Sequence, residues 1–179
     1  LWDDHPMPDY FGPDEPGPKN YTGQYLGAMT IQYALQQSVN TIPVKIVDQL
    51  GPERCYNFLL NKLGFENLSP NDIALSPMAL GGMTHGVTLE EITGAYQMFV
   101  TQGKYVKPYT YTKVTDSEGN VILERNTKQV RVISEQTATV MNKLLQTVVC
   151  NGTGYDISWQ WPSTQVFAKT GTTDDNRDS

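Results

Sequence analysis

The residues best suited to chemistry lie near the C-terminus, where positions 169–172 read Lys-Thr-Gly-Thr. If this segment continues a strand, successive side chains alternate between faces, so Lys169 projects into a cleft and Thr172 returns to the same side. An ammonium and a hydroxyl on one face suit the recognition of a carboxylate. Gly171 lets a ligand backbone approach the strand edge, whereas Thr170 points away from the lysine side. The alternative is a solvated lysine on an edge strand beside a turn.

A second candidate pair, Ser38 and Asn40, follows a predicted amphipathic helix. Thr30 is a suitable N-cap for that helix, and Pro43 suits the first turn of the next one. A hydroxyl and an amide on the connecting loop could pass a proton and hold a peptide carbonyl. Because Ser-x-Asn often occurs by chance in a chain of this length, the pair indicates a site only together with further motifs.

The composition indicates one globular core and excludes several functional classes. The chain has 179 residues, of which 39% are hydrophobic, and its net charge is -6 with scattered basic residues. Such a chain is long enough for one core and a small second lobe. The charge argues against nucleic acid as a partner. No apolar run approaches the roughly 18 residues of a membrane span.

The histidines and cysteines indicate neither a metal site nor a cofactor. His5 and His85 have no companions at ligand spacing, so we expect no metal, and no imidazole base. Cys55 and Cys150 permit one disulfide, but the favoured interpretation is two small buried hydrophobic side chains. Nothing else in the sequence resembles a disulfide framework.

The first half of the chain is predicted to be mostly helical. Residues 1–22 contain five prolines, which predict an extended surface segment without regular structure. Turn-forming residues such as Pro70, Asn71 and Gly81 predict a loop over residues 65–87. Helices are predicted from Thr30 to Ser38, from Pro43 to Gly51, from Pro52 to Gly64, and from a capping box at Thr88 and Glu91 to Gly103.

The second half is predicted to contain the strands. Residues 109–114 alternate in polarity and residues 121–123 return after a turn, which predicts a hairpin. Ser134 is expected to cap a long helix. Residues 165–169 predict the last strand, with Ala168 buried beneath the sheet.

Further residues, in order along the chain, carry a family resemblance together with the two motifs. Among them are Tyr21, Gly27, Thr30, Leu80, Gly81, Gly82, Tyr96, Gly103, Asp116, Gly119, Gly152, Thr153 and Gly154. Over about residues 20–178 the chain resembles the transpeptidase domain of penicillin-binding proteins. It is most similar to the bifunctional high-molecular-mass class, which also carries a glycosyltransferase.

The resemblance implies a fold and an activity. The fold would be α/β of the α+β type, similar to the serine β-lactamases, with an antiparallel sheet packed with helices and incomplete in this chain. The activity would be that of a D,D-transpeptidase, which cross-links peptidoglycan stem peptides ending in D-alanyl-D-alanine and is acylated by β-lactam antibiotics. In the family a serine of a Ser-x-x-Lys motif attacks, with its own lysine as the base.

The resemblance also implies roles for the motif residues. Ser38 would relay a proton to the leaving amine, Asn40 would hold the substrate amide, and Lys169 would supply positive potential. The backbone at Thr172 would contribute to the oxyanion hole. The implied catalytic residues are Ser38, Asn40 and Lys169, and the implied substrate-binding residues are Thr170, Gly171 and Thr172.

The family's nucleophile motif has no counterpart in this chain, because no serine is followed three residues later by lysine. We expect the nucleophile upstream of Leu1 and a final strand and helix beyond Ser179. Residues 1–22 would then be a proline-rich segment and residues 23–179 a partial transpeptidase domain, inactive alone. Its partners would include the missing part of its own domain and a glycosyltransferase domain in the same parent chain, on the outer face of the cell membrane.

Two other functions remain open. A non-catalytic β-lactam sensor or cell-wall scaffold would keep the fold without the Ser-x-x-Lys pair. A hydrolytic carboxypeptidase or β-lactamase shares the motifs, but the matches within residues 81–105 favour the transpeptidase.

Overall fold

The computed structural model describes residues 1–11, 13–14, 17–159 and 165–171. Helices dominate this part of the chain. The α-helices are α1 (Ile31–Gln36), α2 (Thr41–Leu50), α3 (Pro52–Phe58), α4 (Leu75–Leu80), α5 (Leu89–Val100) and α6 (Glu135–Asn151). A π-helical turn at Leu59–Leu63 continues α3, and 3-10 turns occur at Pro70–Asp72 and Tyr155–Trp159.

The strands form three small antiparallel pairs. They are β1 (Trp2–Asp4), β2 (Gly27–Met29), β3 (Lys104–Tyr105), β4 (Lys113–Thr115), β5 (Val121–Glu124) and β6 (Val130–Arg131). The pairs are β1 with β2, β3 with β6, and β4 with β5. In the first pair Asp4 lies opposite Gly27, so the N-terminal segment is held against the residues that lead into α1.

The predicted helix starts are confirmed where a side chain caps them. Thr30 accepts a hydrogen bond from the Tyr33 amide at the start of α1. Ser134 does the same for the Thr137 amide before α6. The capping box of Thr88 and Glu91 is complete at α5. These starts could be predicted because each cap joins residues only three positions apart.

Several predicted boundaries are wrong. Residues 65–87 contain α4 and a 3-10 turn instead of only a loop, and the hairpin strand begins at Lys113 rather than at residue 109. Residues 1–22 contain β1, because the segment finds a partner strand in β2. Residues 165–169 pair with no described strand, and Ala168 is only half-buried.

Among the described residues the core includes two clusters of buried side chains. The first contains Met29, Ala34, Val39 and Ile42, and the second contains Leu63, Phe65, Ala95 and Tyr105. Helix α1 packs against α6, and α2 packs against α4. Because Val39 belongs to the first cluster, the loop that carries Ser38 and Asn40 is fixed to the core by burial of its central residue.

Two further expectations concern the membrane and the thiols. In the described part of the chain no helix combines the length and the apolar character that a membrane span requires. Cys55 and Cys150 are both free. Cys55 is partly buried and Cys150 is exposed, so the interpretation of both as buried hydrophobic side chains is wrong.

Candidate active site

The two sequence motifs meet in space at Lys169 and Ser38. The Lys169 Nζ donates a hydrogen bond to the Ser38 Oγ at 2.7 Å, across 131 positions of sequence. It also donates to the carbonyl oxygen of Thr170 at 2.7 Å. An ammonium has three N–H donors, so one donor remains that no described residue accepts. Two hydrogen bonds therefore hold the lysine in place, and the described residues leave its third donor unbound.

The surroundings of Lys169 change its proton affinity. Its side chain is half-buried, and burial lowers the pKa of the ammonium below its ordinary value. Desolvation disfavours the charged form of a lysine. An amine with a lowered pKa exchanges a proton with a neighbouring hydroxyl more readily near neutral pH. Lys169 and Ser38 are thus suited to proton transfer as well as to binding an anion.

The loop that carries Ser38 has an unusual backbone. Ser38 has a φ of 53°, in the left-handed region, which costs about 1–2 kcal/mol for a residue with a Cβ. The amides of Ser38 and Val39 donate to the carbonyls of Leu35 and Ala34, at 3.2 and 2.9 Å. These bonds fix the loop between α1 and α2, whose Ser38 hydroxyl accepts a hydrogen bond from Lys169.

Asn40 is held by the proline-rich segment. Its backbone amide donates to the Asn20 Oδ1 at 2.9 Å, and its side-chain Nδ2 donates to the carbonyl oxygen of Lys19 at 2.7 Å. It lies at the N-cap position of α2 without making a side-chain cap bond. Its Oδ1 accepts no hydrogen bond from a described residue, so that oxygen is available to a substrate N–H group.

The buried carboxylate of Asp4 anchors this arrangement, and the sequence analysis missed it. Asp4 is 1% exposed. It accepts hydrogen bonds from the Asn20 Nδ2 and the Leu26 amide, both at 2.8 Å, and from the Thr41 Oγ1 at 2.6 Å. An aspartate in a polar, proline-rich stretch carries no local signal of burial, because its partners are 16 to 37 positions away.

Thr170 belongs to a second connection between the motifs. Its Oγ1 lies 2.6 Å from the Thr153 Oγ1, and the Thr153 amide donates to the Gln36 carbonyl at 3.0 Å. A Cβ on Gly152 would lie 2.5 Å from that same carbonyl oxygen, so only glycine allows this approach. Residues 152–153 therefore bridge the lysine segment and the end of α1.

The remaining predicted site residues are Gly171 and Thr172. A Cβ on Gly171 would meet nothing within 4 Å, and the residue is exposed. This openness suits approach of a ligand backbone. Thr172 lies outside the described residues. No group of three or more His, Cys, Asp or Glu side chains in the described part of the chain could hold a metal.

Comparison with known proteins identifies the family of the chain. A family model of the penicillin binding protein transpeptidase domain matches residues 7–179. Penicillin-binding protein 4 of Bacillus subtilis is 34% identical over 161 residues, and penicillin-binding protein 1A of Aquifex aeolicus is 35% identical over 162. Each alignment covers 90% of this chain, but only 25% and 21% of the relative.

Solved structures show the same fold. Penicillin-binding protein 1A from Haemophilus influenzae matches with a TM-score of 0.76 at 21% identity, over 97% of this chain and 31% of the other. The D,D-transpeptidase domain of a peptidoglycan glycosyltransferase from Eggerthella lenta matches with a TM-score of 0.65 at 20% identity, over 87% and 44%. The predicted fold class and resemblance are confirmed, and the chain belongs to the transpeptidase domain family of penicillin-binding proteins.

Proposed function

We propose that this chain is part of a serine D,D-transpeptidase that cross-links peptidoglycan stem peptides and is acylated by β-lactams. The observation that carries the proposal is the 2.7 Å hydrogen bond from the Lys169 Nζ to the Ser38 Oγ. It joins a cation with a lowered pKa to a hydroxyl that can relay a proton.

The acyl transfer divides between this chain and the rest of its domain. A serine of a Ser-x-x-Lys motif outside residues 1–179 gives its proton to the lysine of that motif and attacks the carbonyl carbon of the D-alanyl-D-alanine bond, and the C–N bond breaks. Ser38 passes a proton to the departing amine, so free D-alanine leaves and an ester remains on the enzyme. The amine of a second stem peptide then attacks that ester, loses its proton to the same relay, and restores the serine.

The described residues of this chain orient the substrate during these steps. The remaining Lys169 N–H and the Thr172 hydroxyl bind the terminal carboxylate of the stem peptide, and Thr170 lies beside it. The Asn40 Oδ1 accepts a substrate N–H. Gly171 leaves room for the substrate backbone to approach. The backbone amide at Thr172 contributes to the oxyanion hole.

The organisation and location of the parent protein are part of the proposal. The chain spans about a quarter of the curated relatives it matches or less. Residues 1–22 would be the proline-rich segment and residues 23–179 part of the transpeptidase domain, inactive without the nucleophile. A glycosyltransferase domain in the same protein, a membrane anchor and an extracytoplasmic location agree with a substrate in the cell wall. No cofactor and no nucleic acid take part.

The mass of the acyl-enzyme tests this function. A protein that carries this chain within a complete transpeptidase domain is incubated briefly with benzylpenicillin, and its intact mass is measured. We expect the addition of one drug mass, and none on the isolated 179-residue chain. A folded, complete domain that gains no mass would contradict the enzymatic function and favour the sensor or scaffold. An adduct on the isolated chain would contradict the assignment of the nucleophile to another segment.

A further inference from the structure

The loop that carries Ser38 and Asn40 is attached to the N-terminal segment through one buried carboxylate. Asp4 lies at the end of β1, and its two oxygens accept three hydrogen bonds. Two of these come from residues that flank the site loop: Thr41 directly follows Asn40, and Asn20 contacts it. The buried carboxylate thus contacts the first residue of α2 directly and Asn40, the residue before it, through Asn20.

The burial of Asp4 makes these hydrogen bonds strong and specific. Asp4 and Thr41 are 1% and 0% exposed. A buried carboxylate is tolerated only where donors replace its hydration, and hydrogen bonds to an ionised acceptor are stronger than neutral ones. Among the described residues no cation pairs with Asp4, so its donors alone compensate for burial. The three donors are therefore held in fixed positions around it.

Asn20 connects Asp4 to the loop that carries Ser38 and Asn40. Its Nδ2 donates to Asp4 and to the carbonyl oxygen of Gln24, both at 2.8 Å. Because both bonds use the NH₂ group, the Oδ1 must face the opposite side, where it accepts the Asn40 amide at 2.9 Å. An aspartate at this position would keep the acceptor and lose the donor. Only a side chain with both groups, at this length, joins Asp4 to the loop.

We infer that Asp4, acting through Asn20 and Thr41, is a positioning residue that holds the Ser38 hydroxyl against Lys169. Neither Asp4 nor Asn20 touches the reacting groups. The inference deepens the proposed function and rests on it for its kinetic readout.

The backbone of Ser38 supplies the physical reason that such positioning is needed. A left-handed serine persists only where the surrounding structure determines its conformation. The Ser38 and Val39 amides are held by α1, whereas the Asn40 amide is held from outside, by Asn20. If that outside bond weakens, the loop can relax out of the strained conformation, and the Ser38 Oγ moves away from the Lys169 Nζ.

Asp4→Asn tests the inference, with Asp72→Asn as the matched control. Asp72 is also fully buried and accepts three hydrogen bonds, but it contacts neither motif. Both variants are made in a complete transpeptidase domain. Two quantities are measured: the rate of acylation by a fluorescent penicillin, and the pH profile of Lys169 labelling by acetic anhydride. The second readout needs no acylation and reports the surroundings of the lysine directly.

We expect Asp4→Asn to slow acylation roughly tenfold to a hundredfold, as small displacements of catalytic groups do. The midpoint pH of Lys169 labelling should rise toward the ordinary lysine pKa of 10.5, because the site opens to water. Asp72→Asn should leave both quantities at the parent values. The inference is overturned if the Lys169 profile is unchanged in Asp4→Asn, or if Asp72→Asn reproduces both changes.

A second pair of variants decides the matter if Asp4→Asn does not fold. Thr41→Val removes the hydroxyl that donates to the Asp4 Oδ1, and Thr41→Ser retains it. We expect Thr41→Val to shift the Lys169 profile and Thr41→Ser to restore it, and equal profiles would overturn the inference. If the parent domain is not acylated at all, the proposed function fails, while the Lys169 profiles still decide the positioning role.

Discussion

Two buried carboxylates, Asp4 and Asp72, organise two regions of this molecule in contrasting ways. Each is almost completely buried, and each accepts hydrogen bonds from at least one backbone amide and one threonine hydroxyl. The partners of Asp72 lie 3 and 12 positions away, within one irregular segment. The partners of Asp4 lie 16 to 37 positions away and include residues beside the site loop.

A buried carboxylate can therefore act in two ways: Asp72 stabilises one loop, whereas Asp4 holds distant segments together at the candidate site. Asp72 joins Ser69 to Thr84 and gives residues 69–84 a fixed form around α4. Asp4 joins the strand β1 to the start of α2. The same chemistry therefore stabilises one region locally and, in the other, brings distant residues to where the proposed reaction needs them.

Among substitutions that compare the two regions, replacement of Lys169 should have the largest effect on the rate of acylation. Lys169→Ala in a complete domain should slow acylation by roughly a hundredfold to ten-thousandfold, the range for a lost acid–base group. Lys107→Ala is the control outside the site, because Lys107 forms an exposed ion pair with Glu66 that is worth at most about 1 kcal/mol. Stopped-flow acylation kinetics check both. Equal rates in the two variants would contradict the role of Lys169.

A smaller effect is expected at Asp72, whose contribution to the stability of the fold should depend on pH. Burial by itself raises the pKa of Asp72, but hydrogen bonds from Thr84 and Ser69 outweigh it, so the pKa is lowered from its ordinary 3.8. The ionised form thus stabilises the fold above pH 3.8, and this contribution is lost as the pH falls through the folded-state pKa.

Asp72→Asn should therefore lower the free energy of unfolding by about 1–3 kcal/mol at neutral pH. The difference in the free energy of unfolding between Asp72→Asn and the parent protein should become smaller as the pH falls below 3.8. Urea unfolding between neutral pH and the lowest pH at which the domain folds measures this difference. A difference that stays constant with pH would show that ionisation of Asp72 contributes nothing to stability.

The smallest expected effect compares the helix caps of the two regions. Thr30 caps α1 beside the site and Thr88 caps α5 beside the Asp72 region. Either threonine to alanine should cost about 1 kcal/mol of stability, read as a lower midpoint of thermal unfolding. Only Thr30→Ala should also slow acylation, since α1 leads into Ser38. If Thr88→Ala slowed acylation as much, the two regions would not be functionally separate.

Much of the local structure could be predicted from the sequence. The caps at Thr30, Thr88 and Ser134 have side chains that bond amides within three positions, so a short stretch of sequence contains both partners. Helix α4 was missed because its N-cap, Ala74, makes no side-chain bond. The strand β1 was missed because proline composition predicts an unpaired segment, whereas pairing depends on a partner strand 23 to 27 positions away.

The types, order and spacing of the candidate residues were enough to indicate the family, because motifs keep their residue types and spacing along the chain. The 2.7 Å contact between the Lys169 Nζ and the Ser38 Oγ is visible only in the folded molecule. So is the attachment of Asp4 and Asn20 to the loop that carries Ser38 and Asn40. The reason is physical: such contacts close large loops, and their geometry is fixed by the burial of a whole core rather than by the neighbours of any one residue.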